Sequence, residues 1–306
     1  MESPHNDFHF KKCNPFIIGH RGSLYCEPEN TISSFARSHE DGAHGVEFDV
    51  FKLKCGTLVV FHGVGTDQDP GLLEGYCFPP SSDYVDDPLK CASSSLSIVD
   101  LDYSQVKNLR FDKFGREFAC PIDRIEQERI PKLEEVLLLC KQKGLHATIE
   151  LKGEGTSEPC LEMVDRLDMV DLVTFSSFKH EEIARIRELR PELTSCGTSY
   201  RYRTGALFDD VPENFVELAL SVGASEIHLC YDTCTSSNVK LIHAAGMASM
   251  AWFKSHTSMK RDSEENYLDV GNEDELMLAT VLNSGVMKMC VNRPDLLSAM
   301  TKINSN

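Results

Sequence analysis

Apolar positions along the chain fall into short runs separated by amphipathic stretches. The strand-like runs are Phe16–Gly19, Val46–Phe51, Leu58–Phe61, Ala147–Leu151, Leu172–Phe175, Glu226–Cys230, Ser249–Phe253 and Met287–Val291, with Thr194–Ser199 a weaker ninth. The spacing predicts helices between most of them. Residues 133–143 end at Gly144, which suits a C-cap. Ile183, Ile186 and Leu189 share a face over 181–190, and Phe215, Leu218, Ala219 and Val222 recur at helical spacing over 213–222. Two further stretches, 235–245 and 272–284, stop at Gly246 and Gly285.

Strands alternating with helices make βα units and a parallel sheet covered on both faces. About eight such units over residues 15–300 suit one closed TIM-type (β/α)8 barrel better than an open sheet. Nine strand candidates are one too many. Residues 45–53 and 57–62 leave room only for a turn at Lys54-Cys55-Gly56, so this pair is expected to be an irregularity in the barrel. The alternation also lapses over 63–128, rich at first in Gly, Pro, Ser and Asp, which reads as an insertion with the role of a lid or subdomain. Residues 1–14 and 301–306 read as polar tails.

Composition narrows the function. Lys and Arg total 31 against 48 Asp and Glu, a formal charge of −17, which argues against nucleic acid and anionic membranes as partners. An anionic substrate would then need a local reversal of sign, from a divalent cation or focused basic groups. No apolar run is long enough to span a bilayer, and Met1–Pro15 has no apolar h-region, so a cytoplasmic protein is expected. The 12 cysteines include no Cys-x-x-Cys pair, and Cys140, Cys196, Cys230 and Cys290 sit in apolar segments as small core residues.

Four polar clusters close strand-like runs, where a parallel barrel gathers its active site. They are His20-Arg21 after Phe16–Gly19, Glu47 with Asp49, His62 after Leu58–Phe61, and Glu150 with Lys152. Strand alternation points Glu47 and Asp49 to one side. Buried carboxylates are costly unless paired or metal-bound, and Glu47, Asp49 and Glu150 together suit a hard cation such as Mg²⁺ or Ca²⁺. His20 and His62 suit proton transfer near neutral pH, and Arg21 and Lys152 suit a phosphate. His228 is one further histidine that could point into the barrel.

The series Gly19-His20-Arg21-Gly22, Pro28-Glu29-Asn30-Thr31, Val46-Glu47-Phe48-Asp49-Val50 and Val59-Val60-Phe61-His62 resembles the glycerophosphodiester phosphodiesterase family. Ile149-Glu150-Leu151-Lys152, Phe175-Ser176-Ser177-Phe178, Ala251-Trp252-Phe253 and Val291-Asn292-Arg293-Pro294 agree in order. The resemblance implies metal-dependent hydrolysis of glycerophosphodiesters to glycerol 3-phosphate and an alcohol. It implies Glu47, Asp49 and Glu150 as metal ligands and His20 and His62 as the acid/base pair. Arg21 and Lys152 would bind phosphate, and Trp252 would form an aromatic wall beside the substrate.

Asn30 and Asn292 each precede a helix-like stretch and read as local caps. The family usually has Asp after the second histidine, where this chain has Gly63, and Asp67 or Asp69 could substitute for it. A lysophospholipase D or sphingomyelinase D-like activity is an alternative on the same barrel. An apolar groove with Leu72, Leu73, Tyr76 and Phe78 would favour it. A non-catalytic ligand-binding barrel is the alternative of another class.

Overall fold

A computed structural model of the chain describes residues 14–63, 71–73, 77–78, 96–111, 128–195, 197, 199–254 and 273–303. Eight parallel strands form the barrel. They are β1 (Phe16–His20), β2 (Gly45–Lys52), β3 (His146–Leu151), β4 (Val173–Ser177), β5 (Arg203–Phe208), β6 (Glu226–Cys230), β7 (Ala248–Trp252) and β8 (Lys288–Val291). Each strand pairs with the next, and β1 pairs with both β8 and β2, which closes the sheet. A helix returns the chain after each strand: α1 (Ile32–Glu40), α2 (Leu133–Lys143), α3 (Ser157–Arg166), α4 (His180–Leu189), α5 (Phe215–Ser221), α6 (Ser236–Ala244), α7 (Glu275–Leu282) and α8 (Pro294–Ile303). This is the expected (β/α)8 architecture.

Local chemistry sets the helix ends. Thr31 caps α1 by accepting from Ser34 N at 3.2 Å, and Gly144 ends α2 in the left-handed region with φ 66°. Outward strand residues bury against these helices. Phe48, Val50, Ala147 and Ile149 pack on Val136, Leu137, Cys160 and Leu161, and Ile227, Leu229, Ala251 and Met289 pack on Val239, Ile242, Leu278 and Leu297.

The excess strand is resolved as an antiparallel addition. Leu58–Val60 pairs with β2 in the register Val50↔Val60 and Lys52↔Leu58, outside the parallel barrel. The weaker ninth run is corrected: among its described residues Thr194–Ser199 forms no strand, and its flanks Leu193 and Tyr200 meet in one isolated bridge. The true fifth strand is Arg203–Phe208, which the apolar pattern misses. Arg203 there donates to the backbone carbonyls of Val173 and Asp171, and Gly205 leaves room for His228. A Cβ at Gly205 would lie 2.3 Å from His228 Cε1.

His228 does point into the barrel, but deep below the mouth. It meets Glu226 Oε2 at 3.1 Å, and Lys288 Nζ meets both Glu226 oxygens at 2.6 and 2.7 Å. This buried ion group fills the N-terminal layers of the interior.

Described parts of the 63–128 region pack on the outside of β2. Leu73, Ile98, Leu101, Val106, Leu109 and Ile130 form one cluster with Phe51, Leu53, Val59 and Phe61. Leu73 is therefore core, not the wall of an open groove. Asp67, Asp69 and Tyr76, and the side chain of Phe78, lie outside the described residues.

Candidate active site

The site is assembled by register. β1 and β2 place His20 opposite Glu47, and β2 and β3 place Asp49 opposite Glu150. Alternation turns these side chains inward at the C-terminal mouth. Ligand atoms of Glu47, Asp49 and Glu150 all lie within 4.8 Å of one another, and all three residues are buried.

Arg21 follows β1 with φ 53°, a left-handed conformation that bends the chain over the mouth. Its backbone N donates to Glu47 Oε2 at 3.1 Å. Its guanidinium donates to Glu29 Oε1 at 3.0 Å and lies 3.4 Å from Asp49 Oδ2. Lys152 Nζ sits 2.8 Å from Glu150 Oε1 and 3.5 Å from Asp49 Oδ1.

Burial, then the neighbouring charges of Asp49 and Glu150, push the Glu47 carboxyl well above its ordinary range. Burial raises Glu150 likewise, with Lys152 opposing. Burial also opposes ionisation of Asp49, but His62, Arg21, Lys152 and the Asn30 amide outweigh it and hold that carboxyl low. Burial first, and the Arg21 charge after it, push both His20 and His62 down to about 3.

This donor set fits a hard divalent cation. Three converging carboxylates are the oxygen ligands such an ion takes, and Glu47 Oε1 is buried with no hydrogen-bond partner among the described residues. The burial that raises Glu47 and Glu150 is offset when a cation binds their ionised forms.

Both histidines line the same cavity as this centre. His20 Nε2 lies 3.8 Å from Glu47 Oε2, and its Nδ1 is 2.8 Å from Asn292 Oδ1. His62 Nδ1 lies 2.6 Å from Gly63 O. A carbonyl oxygen only accepts, so this nitrogen carries a proton and His62 Nε2 is the atom left to exchange one. A cavity opens among His20, Arg21, Glu47, His62, Glu150 and Lys152, with Phe178, Leu207, Met250 and Trp252 also lining it. Trp252 donates from Nε1 to Phe208 O at 3.3 Å and meets Phe178 edge-on at 5.6 Å.

Every site residue expected from the sequence is thus gathered at one mouth. Two asparagines read as caps do other work. Asn30 donates to Asp49 Oδ2 at 2.8 Å while Thr31 caps the helix, and Asn292 contacts His20. Their motif positions beside Glu29 and Arg293 were the available signal. Phe178 ends a stretch that also matched the family pattern.

The model of the glycerophosphoryl diester phosphodiesterase family matches residues 20–295. The chain belongs to this family. A glycerophosphodiester phosphodiesterase of Caldanaerobacter subterraneus subsp. tengcongensis is 31% identical over 183 residues, covering 58% of this chain and 63% of that protein. The match thus spans somewhat under two thirds of that relative's length. Among solved structures, a phosphodiesterase from Oleispira antarctica is similar at TM-score 0.68 and 23% identity, covering 94% of this chain and 97% of that one. The glycerophosphodiester phosphodiesterase from Agrobacterium tumefaciens is similar at TM-score 0.66 and 18% identity, covering 93% and 99%. These likenesses show the shared barrel. Among the described residues, no helix is long and apolar enough to cross a membrane.

Proposed function

We propose that this chain hydrolyses glycerophosphodiesters to glycerol 3-phosphate and an alcohol at the C-terminal mouth of the barrel. The observation that carries this reading is the convergence of three buried carboxylates, with Arg21 and Lys152 beside them and His20 and His62 lining the same cavity. Family membership supports it. So do the name of the Caldanaerobacter relative and the Oleispira structure, which holds the product sn-glycerol-3-phosphate.

Glu47, Asp49 and Glu150 would hold a divalent cation, Mg²⁺ or Ca²⁺. Bound there, the cation supplies charge neutralisation and polarisation of the phosphoryl oxygens. Arg21 and Lys152 add positive charge facing the phosphate. Arg21 is oriented by its hydrogen bond to Glu29 and its ion pair with Asp49 before substrate arrives. One histidine, neutral, takes the proton from the attacking oxygen on Nε2; the other enters the step as the imidazolium, with a second proton on Nε2, and gives that proton to the leaving alkoxide. In-line displacement requires the two imidazoles on opposite sides of phosphorus. Phe178 and Trp252 contact the carbon portion of the substrate.

The test is product release from purified protein given glycerophosphocholine or lysophosphatidylcholine in parallel. Turnover of the glycerophosphodiester, lost in His62→Ala with the fold intact, is expected. Turnover of the lysolipid alone would overturn the assignment in favour of a lysophospholipase D-like enzyme. Unchanged turnover in His62→Ala would remove that histidine from the chemistry.

A further inference from the structure

Asn292 stands one residue beyond β8, fully buried, and its side chain spans two elements far apart in sequence. Its Nδ2 donates to Lys254 O at 2.9 Å, just past β7, and its Oδ1 lies 2.8 Å from His20 Nδ1. Its backbone is clamped as well. The Glu273 carboxylate accepts from Asn292 N at 2.7 Å and from Arg293 N at 2.8 Å.

The chemistry of the partners removes every ambiguity of orientation. Lys254 O can only accept, so the amide NH₂ must face it. The amide oxygen then faces His20, and since that oxygen also only accepts, His20 Nδ1 must carry the proton. In the neutral ring the lone pair is left on Nε2, which lies 3.8 Å from Glu47 Oε2, and both residues line the cavity. The other tautomer would set two lone pairs against each other inside the protein.

We propose that Asn292 is a positioning residue that fixes His20 as the Nδ1–H tautomer, with Nε2 presented to the reacting oxygen. Lys254 O holds the side-chain amide that does so, and Glu273 holds the backbone that carries it. The inference rests on the reading of His20 as a proton-transfer group.

The test has two arms. Nitrogen-15 NMR of histidine-labelled wild-type protein reads the tautomer directly and needs neither substrate nor turnover. The Nδ1–H form is expected at His20, giving way to a mixture in folded Asn292→Ala. The Nε2–H form in wild type, or an unchanged tautomer in folded Asn292→Ala, overturns the proposal. The kinetic arm compares Asn292→Ala with Asn292→Asp, which keeps an acceptor for His20. Asn292→Ala is expected to lose kcat with little change in KM. The loss should lie between about 10-fold, typical of an outer hydrogen-bond partner, and about 10⁴-fold, as for a wrong tautomer in a serine protease triad. Asn292→Asp should recover most of the Asn292→Ala loss, and equal losses in both overturn the proposal. If Asn292→Ala does not fold, wild-type NMR and Asn292→Asp kinetics still decide: Asn292→Asp as slow as His20→Ala would count against it. Unaltered turnover in His20→Ala would instead refute the functional reading, whatever the tautomer.

Discussion

The side-chain amide of Asn30 donates to Asp49 Oδ2 at 2.8 Å, and its oxygen faces Asp49 N at 3.4 Å. One asparagine therefore grips both the carboxylate and the backbone of a candidate ligand. Asn30 also occupies φ 58°, a conformation that Asn tolerates better than most residues. Asn30→Gly keeps that backbone freedom and removes the amide. Cation affinity of the stripped protein, measured by titration calorimetry, should fall roughly 10- to 100-fold in Asn30→Gly. Unchanged affinity would mean that Asp49 needs no such support.

Gly63 stands where the family resemblance leads one to expect Asp, and its backbone favours glycine. It adopts φ 68°, and a Cβ there would lie 2.7 Å from Phe61 Cε1 and 2.8 Å from Leu72 O. Both Gly63→Ala and Gly63→Asp should therefore cost stability, about 1–3 kcal/mol from strain and crowding. Both should also disturb the carbonyl that receives His62 Nδ1. Denaturant unfolding and turnover check this, and an active, fully stable Gly63→Asp would contradict it.

Glu47 and Glu150 both have raised carboxyl pKa values, from burial first and from their acidic neighbours next. A folded-state pKa above the unfolded value means that ionising these groups costs stability as pH rises past the ordinary carboxylate range. A bound cation requires the ionised form and offsets that cost. Thermal stabilisation by Mg²⁺ or Ca²⁺ should thus be larger at about pH 8 than at about pH 6. Glu47→Gln should leave the metal-free protein at least as stable as wild type and remove most of the increment. A pH-independent increment would speak against these two carboxylates as ligands.

Lys288 and Glu226 form a buried pair far from the mouth. Burial opposes ionisation of Glu226, but Lys288 and His228 outweigh it and hold its carboxyl low. The depressed pKa means a stabilising contribution present above the unfolded carboxylate value of about 4.5 and lost as pH falls below it. Lys288→Met strands the carboxylate and should destabilise by about 3–5 kcal/mol. Adding Glu226→Leu should restore most of this, read by denaturant unfolding at neutral pH. A small loss in Lys288→Met would mean that the pair is dispensable.

Most of the fold was legible because parallel strands buried on both faces read as apolar runs between helices. Arg203–Phe208 escaped for a local reason. Arg203 spends its charge on two backbone carbonyls, and Gly205 is an absence of side chain that matters only once His228 is placed against it. The carboxylates, histidines and basic residues of the site were visible because strand ends converge. The work of Asn30 and Asn292 was not visible, since an asparagine before a helix reads equally well as a cap. Nothing in its local pattern marks Glu273, whose partners lie 19 and 20 residues away.

The most direct measurement is glycerol 3-phosphate release from glycerophosphocholine by EDTA-stripped protein before and after a divalent ion is returned. Release should vanish on stripping and return with Mg²⁺ or Ca²⁺ in the wild type, but not in Asp49→Asn. Undiminished release from stripped protein, or none with either ion from folded wild type, would contradict a metal-assisted glycerophosphodiesterase site built on Glu47, Asp49 and Glu150.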